Sequence, residues 1–400
     1  MKLLLAAILY AMFFWVVTWR RPWLALASIF ALAPFQNDLS MGGPIRFSIA
    51  EVNLLLTLPI FLAERRPARL GPLAFPVIAY LFFCLFSSAL HWRDTALVSL
   101  VQIAVYLVAA VAVFRSLPLQ ITEYRAALST LIAVCCLLAV IVLVKQSGYV
   151  LGLHKNGSGS SLACGLIVCA ELWFGERDTI RKQRLLAALV LIAAGLFFTL
   201  SRGAWITAAT GLIVILLLHR RFLLLLRATF VLAALVAVCW GRLPAEARNY
   251  ATAFDRDHYN IQARFESIDY ALYEFRKSPL TGVGVGLRKE YDATNIFLLT
   301  LAETGVPGLL AFAAIHIAFL RMAYRSRRYL PRSSPEATLV ALGTALVIGK
   351  IMHGAVDLYW GRGDLMITWA AAGMAIRACA VGRRRAKRPA PPRRTPALVS

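Results

Sequence analysis

Charge is scarce in this 400-residue chain, and acid is scarcer still. Asp and Glu number 20 against 43 Lys and Arg, and together the four types make up only 16%. An ordinary soluble domain is about 25% charged and about half apolar. A hydrophobic share of 60% therefore excludes that class. Long polar stretches are few as well. Apolar runs of about 16 to 26 residues recur along most of the length, each near the roughly 20 residues that cross a 30 Å hydrocarbon core. They fall near 3–19, 22–35, 50–63, 72–90, 95–114, 126–145, 159–175, 185–200, 203–218, 222–240, 295–320, 337–353 and 365–381. The pattern predicts an all-α polytopic membrane protein of about 11–13 transmembrane helices, the range reflecting two short runs. The opening MKLLLAAILYAMFFWVV runs on to Arg20 and Arg21 without a cleavage site, which predicts a retained first helix.

Other features are missing in informative ways. The seven cysteines sit mostly inside apolar runs, and Cys135 beside Cys136 has neither metal-ligand nor redox spacing, so they read as small buried apolar residues. The glycines of KSPLTGVGVG follow no strand and open no βαβ unit, which excludes a dinucleotide fingerprint. No internal repeat is evident.

The net charge of +23 invites a nucleic-acid reading, but its distribution argues against one. Basic clusters occur at Arg20 and Arg21, at Arg65 to Arg69, at Arg115 and Arg125, at Arg177 to Arg184, at Arg220 and Arg221, at Arg321 to Arg332, and in the tail RRRAKRPAPPRR. Successive clusters are always separated by two apolar runs, so all of them can share one side. The positive-inside rule makes that side the cytoplasm. The expected organisation is an N-terminal bundle (1–240), a periplasmic loop (241–294), C-terminal membrane helices (295–381) and a disordered basic tail (382–400) lying on anionic lipid.

The same parity puts 36–49, 91–94, 146–158, the turn 201–203, the long loop and 354–364 outside. The loop carries eight acidic and eight basic residues. Ile261, Phe265, Ile268, Leu272 and Phe275 form one helical stripe, which predicts an amphipathic helix at the interface or packed on the bundle, with Arg264 and Ser267 turned to polar surroundings. Pro279 ends that helix, and Gly282, Gly284 and Gly286 predict a flexible turn. Lys155, Arg202 and Arg264 thus gather on the outer side. The bland reading pairs them with Asp255, Asp257, Glu266 and Asp269 as surface ion pairs worth about 0 to 1 kcal/mol. The sharper reading is an anion site, for which arginine's planar fork suits phosphate. His353 and Asp357 stand four apart, so a carboxylate can orient an imidazole for proton transfer. Helix capping or packing is the competing role. His154 and His258 also lie outside, and His316 lies within a span, where a core hydrogen bond is the default.

Taken in order, HKNGSG (154–159), SRGAW (201–205), Arg264 followed by KSPLTGVGVG (277–286), TNIFLLTLAETGVPG (294–308) and HGAVDLYW (353–360) resemble the O-antigen ligase and O-antigen polymerase superfamily, with HKN nearest the exopolysaccharide-polymerase branch. The resemblance implies a glycosyltransferase of the bacterial inner membrane, its site facing the periplasm, acting on a polyprenyl-pyrophosphate-linked oligosaccharide and an acceptor glycan or glycolipid. By resemblance, Arg202 and Arg264 match the family's pyrophosphate-holding arginines, with Lys155 beside them; no metal cofactor and no nucleic-acid partner are expected. Ligases of the family carry a histidine before the asparagine of this acceptor loop. Here Thr294 precedes Asn295, and a hydroxyl is no base near neutral pH. That departure shifts weight from ligase to polymerase and leaves His353, Asp292 or Asp357 as substitutes, or a catalytically altered member.

The competing class is a transporter or flippase for a lipid-linked glycan. A carrier places ionisable residues and broken helices near the midplane, often in repeated halves. Here the candidate cations collect at one surface, which favours the enzyme. A structural membrane subunit would leave the motif order unexplained.

Overall fold

The computed structural model describes residues 2–35, 38–39, 47–63, 69–116, 120–239, 241, 248, 259–290, 295–357 and 359–387. Asp255, Asp257, His258, Asp292 and Thr294 lie outside them. Each apolar run is a helix. They begin with α1 (Lys2–Trp19), α2 (Pro22–Leu32), α3 (Ile49–Ala63), α4 (Ala74–Leu90), α5 (Ala96–Ser116) and α6 (Ile121–Lys145). Next come α7 (Lys155–Gly175), α8 (Thr179–Phe198), α9 (Arg202–Leu218) and α10 (Phe222–Cys239). The long loop holds α11 (Tyr259–Lys277) and the single turn α12 (Leu287–Glu290), before α13 (Ile296–Ser326), α14 (Pro335–Gly354) and α15 (Arg362–Lys387). Among the described residues, 7 helices are long and apolar enough to cross a membrane, and shorter apolar helices include α2 and α9. A two-residue antiparallel pair, Asp38–Leu39 with Phe47–Ser48, is the strand content of the described residues.

Local chemistry sets the helix ends. The Asp178 carboxylate accepts the Arg181 N–H at the start of α8. Ser334 caps α14, whose Pro335 needs no amide partner in the first turn. Between α8 and α9 the chain turns within Thr199 to Ser201, with Leu200 in the left-handed region (φ 52). Arg202 therefore stands at the first position of a helix, at a tight hairpin, rather than inside a long span.

The centre of the bundle is α14, which packs on α15, α9 and α7. Small residues make this seam close: a Cβ on Gly349 would lie 3.1 Å from the Thr207 carbonyl oxygen, and one on Gly343 3.0 Å from that of Ala371. Helix α13 breaks at Gly305 (φ 68, ψ −175). The break receives the loop after α11: Val306 N–H donates to Pro279 O at 2.9 Å, and Val283 N–H donates to Ala302 O at 2.9 Å. A side chain at Gly305 would meet the Leu280 carbonyl oxygen at 2.4 Å.

That loop departs from the flexible turn expected of its glycines. Residues 282–288 are buried, with Gly284 N–H bonded to Ser87 Oγ and Gly286 N–H to Glu303 Oε1. The glycines serve close backbone approach rather than mobility. Helix α11 is also turned differently from expectation. Ser267 (2% exposed), Ala271 and Glu274 face inward against α13, whereas Phe265 is 46% exposed. Polar neighbours explain the inversion: the Glu274 carboxylate lies 3.4 Å from Arg93 Nη2 and accepts from Lys277 Nζ at 2.5 Å, which holds Lys277 above the ordinary lysine range.

Of the cysteines with described side chains, five are buried and Cys136 is half-buried; all are free thiols. His316 is a core residue. Its Nδ1–H donates to the Phe312 carbonyl, leaving Nε2 to accept from the Tyr359 hydroxyl, each at 3.0 Å.

Candidate functional site

Four of the motifs meet at one end of the bundle, around the last turn of α14. His353 and Asp357 share a face there because the chain keeps a helical bond past the end of the helix, Asp357 N–H to His353 O at 2.8 Å. Their side chains lie 3.9 Å apart, Nε2 to Oδ2, beyond hydrogen-bonding distance. Arg264 reaches the same carboxylate from α11, with Nη2 3.8 Å from Asp357 Oδ2. Of the acids expected to pair with it, Glu266 and Asp269 are exposed, and Asp255 and Asp257 lie outside the described residues; Asp357 is an ion-pair partner of Arg264 among the described ones.

The SRG turn closes the site from a third direction. A Cβ built on Gly203 would lie 2.8 Å from His353 Cδ2 and 2.9 Å from Asp357 Oδ2, so a larger residue there would have to displace those side chains. Half-buried Arg202 precedes it on the first turn of α9. Ser201 Oγ–H donates to Asn156 Oδ1 at 3.1 Å, which ties this turn to the start of α7, where Lys155 sits. Two helix N-termini therefore converge beside His353, and their aligned amides favour an anion even before Lys155 and Arg202 add full charges.

Asn295 caps α13 by accepting from Phe297 and Leu298 N–H, and its Nδ2–H donates to Ala355 O at 3.2 Å. The acceptor-loop motif and the HGAVD motif are thereby joined. Thr294 lies outside the described residues. His154 caps α7, its Nδ1 accepting the Asn156 N–H, and Nε2 is 3.2 Å from the Tyr149 hydroxyl.

Reading the sequence missed the other half of the His353 environment. Buried Lys350 donates to Asp364 Oδ2 at 2.5 Å and lies 3.2 Å from His353 Nδ1, while Asp364 Oδ2 is 3.6 Å from that same nitrogen. His353 Nδ1 thus faces this buried pair while Nε2 faces Asp357, and in the tautomer where Nδ1 accepts from Lys350 the proton sits on Nε2. The available signal was a lysine inside an apolar run, three residues before His353.

A second buried cluster lies beneath the glycine-rich loop. Arg288 Nη2 donates to Gln102 Oε1 at 2.9 Å and to Ser99 O at 3.4 Å, and its guanidinium lies 4.8 Å from the Trp360 ring centre. Burial pushes Arg288 below the ordinary arginine range, and the nearby Glu303 carboxylate opposes that shift. Tyr106, in a π-helical segment Ala104–Ala110 of α5, hydrogen-bonds Glu51. Among the described residues, no group of three or more His, Cys, Asp or Glu side chains is arranged to hold a metal ion.

Residues 187–313 match the family model described as O-Antigen ligase. The matched stretch takes in the SRG turn, α11, the glycine-rich loop and the kink of α13, and stops short of His353. No curated protein matches the chain.

Proposed function

We propose that the chain is a member of the O-antigen ligase and polymerase superfamily, a reading supported by the match over residues 187–313, and that it transfers a glycan from a polyprenyl-pyrophosphate carrier to the hydroxyl of an acceptor glycan at the periplasmic face of the inner membrane. The observation that carries this reading is the convergence on one carboxylate: Asp357 meets Arg264 from α11, His353 from α14 and Gly203 from the SRG turn.

In this proposal the donor's pyrophosphate lies over the N-termini of α7 and α9, held by Lys155, Arg202 and Arg264. The acceptor oxygen attacks the anomeric carbon as the carbon–oxygen bond to phosphate breaks, and the bonding pair leaves with the pyrophosphate. The three cations neutralise the charge that develops there, so this reading assigns no metal cofactor. The acceptor's proton passes to Asp357. His353 assists by directing Nε2–H at Asp357, its tautomer fixed by Lys350 on the opposite nitrogen. A carboxylate acting as base at a sugar centre has ample chemical precedent. Thr294, in the position of the family's histidine, is then dispensable to proton transfer, a pattern that fits a polymerase better than a ligase.

The test is to reconstitute the protein with a polyprenyl-pyrophosphate oligosaccharide and measure released polyprenyl pyrophosphate. Wild type releases it in step with glycan growth, and Arg202→Ala, Arg264→Ala and Asp357→Asn each abolish release while inserting normally. Movement of the lipid-linked glycan across the vesicle without any release would instead identify a carrier.

A further inference from the structure

At the opposite end of the bundle from His353, helices α4, α13 and α15 border an open cavity of about 1000 Å³, with Arg115 half-buried at its base and the other arginines exposed at its rim. Five arginines line it: Arg115, Arg321, Arg325, Arg328 and Arg383; no carboxylate does. Arg321 and Arg325 fall at i and i+4 on one face of the end of α13, and Arg328 follows in the turn just beyond it. Like charges at that spacing repel, so the arrangement is unfavourable without a counterion. Among the described residues none of the five is ion-paired, and Arg115 Nη1 is buried without a hydrogen-bond partner. Arg69 and Arg377 add further positive charge beside it.

Arginines at this end do find acids where acids are offered. Arg385, on the same α15, pairs with Glu336, and Arg125 pairs with Glu176 at 2.9 Å. The cavity is therefore a place where positive charge has been gathered and left for something else to neutralise. Its remaining wall says what kind of molecule that is. Phe75 is 83% exposed and Ile317 63% exposed, on the flank that would meet hydrocarbon. A ligand that satisfies both walls is amphipathic, with an anionic head and an apolar tail.

We propose that this cavity binds an anionic membrane phospholipid, its phosphate oxygens among the five arginines and an acyl chain along Phe75 and Ile317. Arginine's fork engages phosphate through two parallel hydrogen bonds, and five such groups suit a headgroup with two phosphodiesters better than one with a single phosphate. Basic pockets between transmembrane helices on the cytoplasmic side are a recognised means of holding such lipids. The positive-inside rule places this end of the bundle in the inner leaflet, where that lipid is available. The inference stands independently of the glycosyl-transfer reaction.

The experiment uses the full chain purified in detergent and stripped of lipid. Native mass spectrometry follows titration with diphosphatidylglycerol, phosphatidylglycerol and phosphatidylcholine, with inorganic pyrophosphate as a water-soluble competitor. Diphosphatidylglycerol is expected to bind about tenfold more tightly than phosphatidylcholine, equivalent to roughly 1.4 kcal/mol. The triple variant Arg321→Gln/Arg325→Gln/Arg383→Gln should lose that preference, while Arg177→Gln/Arg181→Gln, on the same side but outside the cavity, retains it. Equal binding of phosphatidylcholine, unchanged binding by the triple variant, an equal loss in the control pair, or displacement of the lipid by pyrophosphate at matched concentration would each overturn the proposal. Should the triple variant precipitate, Arg325→Gln alone carries the test, with an expected weakening of about threefold.

Discussion

Gly203 sits so close to His353 that a single added methyl group would come within 2.8 Å of the imidazole Cδ2 and within 2.9 Å of Asp357 Oδ2. Backbone of the SRG turn thus forms one wall of the site. Gly203→Ala is expected to push His353 and Asp357 apart, costing about 1–3 kcal/mol in stability as an overpacked contact does. Thermal unfolding in detergent would report a small shift, while glycan transfer falls far more than the shift accounts for. Normal activity in a well-folded Gly203→Ala protein would show that the contact has no bearing on the site.

Two substitutions test whether proton transfer depends on Asp357 or on the loop that holds Thr294. Asp357→Asn keeps the side chain's shape and removes its charge; the expected result is a loss of roughly 100-fold or more, in the range general-base catalysis supplies. Thr294→Ala is expected to leave the rate within a few-fold of wild type, as measured by release of polyprenyl pyrophosphate. The reverse ranking would return the chemistry to the acceptor loop.

Arg264 offers a sharper probe through Arg264→Lys than through removal. Lysine keeps the charge but loses the planar fork, so a purely electrostatic role would survive the change and a bidentate grip on a diphosphate would not. The expected outcome is a fall in turnover approaching the roughly 100- to 1000-fold that follows loss of one transition-state donor. Steady-state kinetics with a water-soluble donor analogue would check it.

Lys350 and Asp364 form a pair sealed from solvent, which makes their energetics asymmetric. Lys350→Met strands a buried carboxylate and is expected to destabilise the bundle by about 3–5 kcal/mol, whereas Lys350→Met/Asp364→Leu recovers most of that loss. Melting curves would show the recovery. Activity should stay low in both, because each frees His353 Nδ1 to take the proton and turns the bare Nε2 toward Asp357.

The helices were legible because apolarity over a run of residues is enough to announce one, and each predicted run is helical, although 7 of the helices among the described residues have the length and apolarity of a full span. The direction of α11 was not. Its apolar stripe left open whether it met the membrane interface or the bundle, because at a membrane boundary the outward side is also apolar, and the contact of Glu274 with Arg93 is not local in sequence. Within the candidate site, Arg264, His353 and Asp357 were visible as ionisable residues in or beside the ordered motifs. The Lys350–Asp364 pair was hidden because its members lie 14 residues apart on separate helices, and nothing local announces that they meet. Gly203 was seen as part of a turn, while its closeness to His353 depends on the crossing of α9 and α14.

The amide of Asn295 grips Ala355 while its carbonyl oxygen starts α13, and at the break after Gly305 the Val306 N–H is held by Pro279 O. Both ends of that short helical piece are thus pinned, and its length acts as a ruler. One residue gained or lost inside it would swing one anchor by about 100° relative to the other, since each residue advances an α-helix by that angle. Descendants of this sequence should accept side-chain changes at the half-buried positions 297, 298 and 301 yet almost no change in the number of residues between 296 and 304.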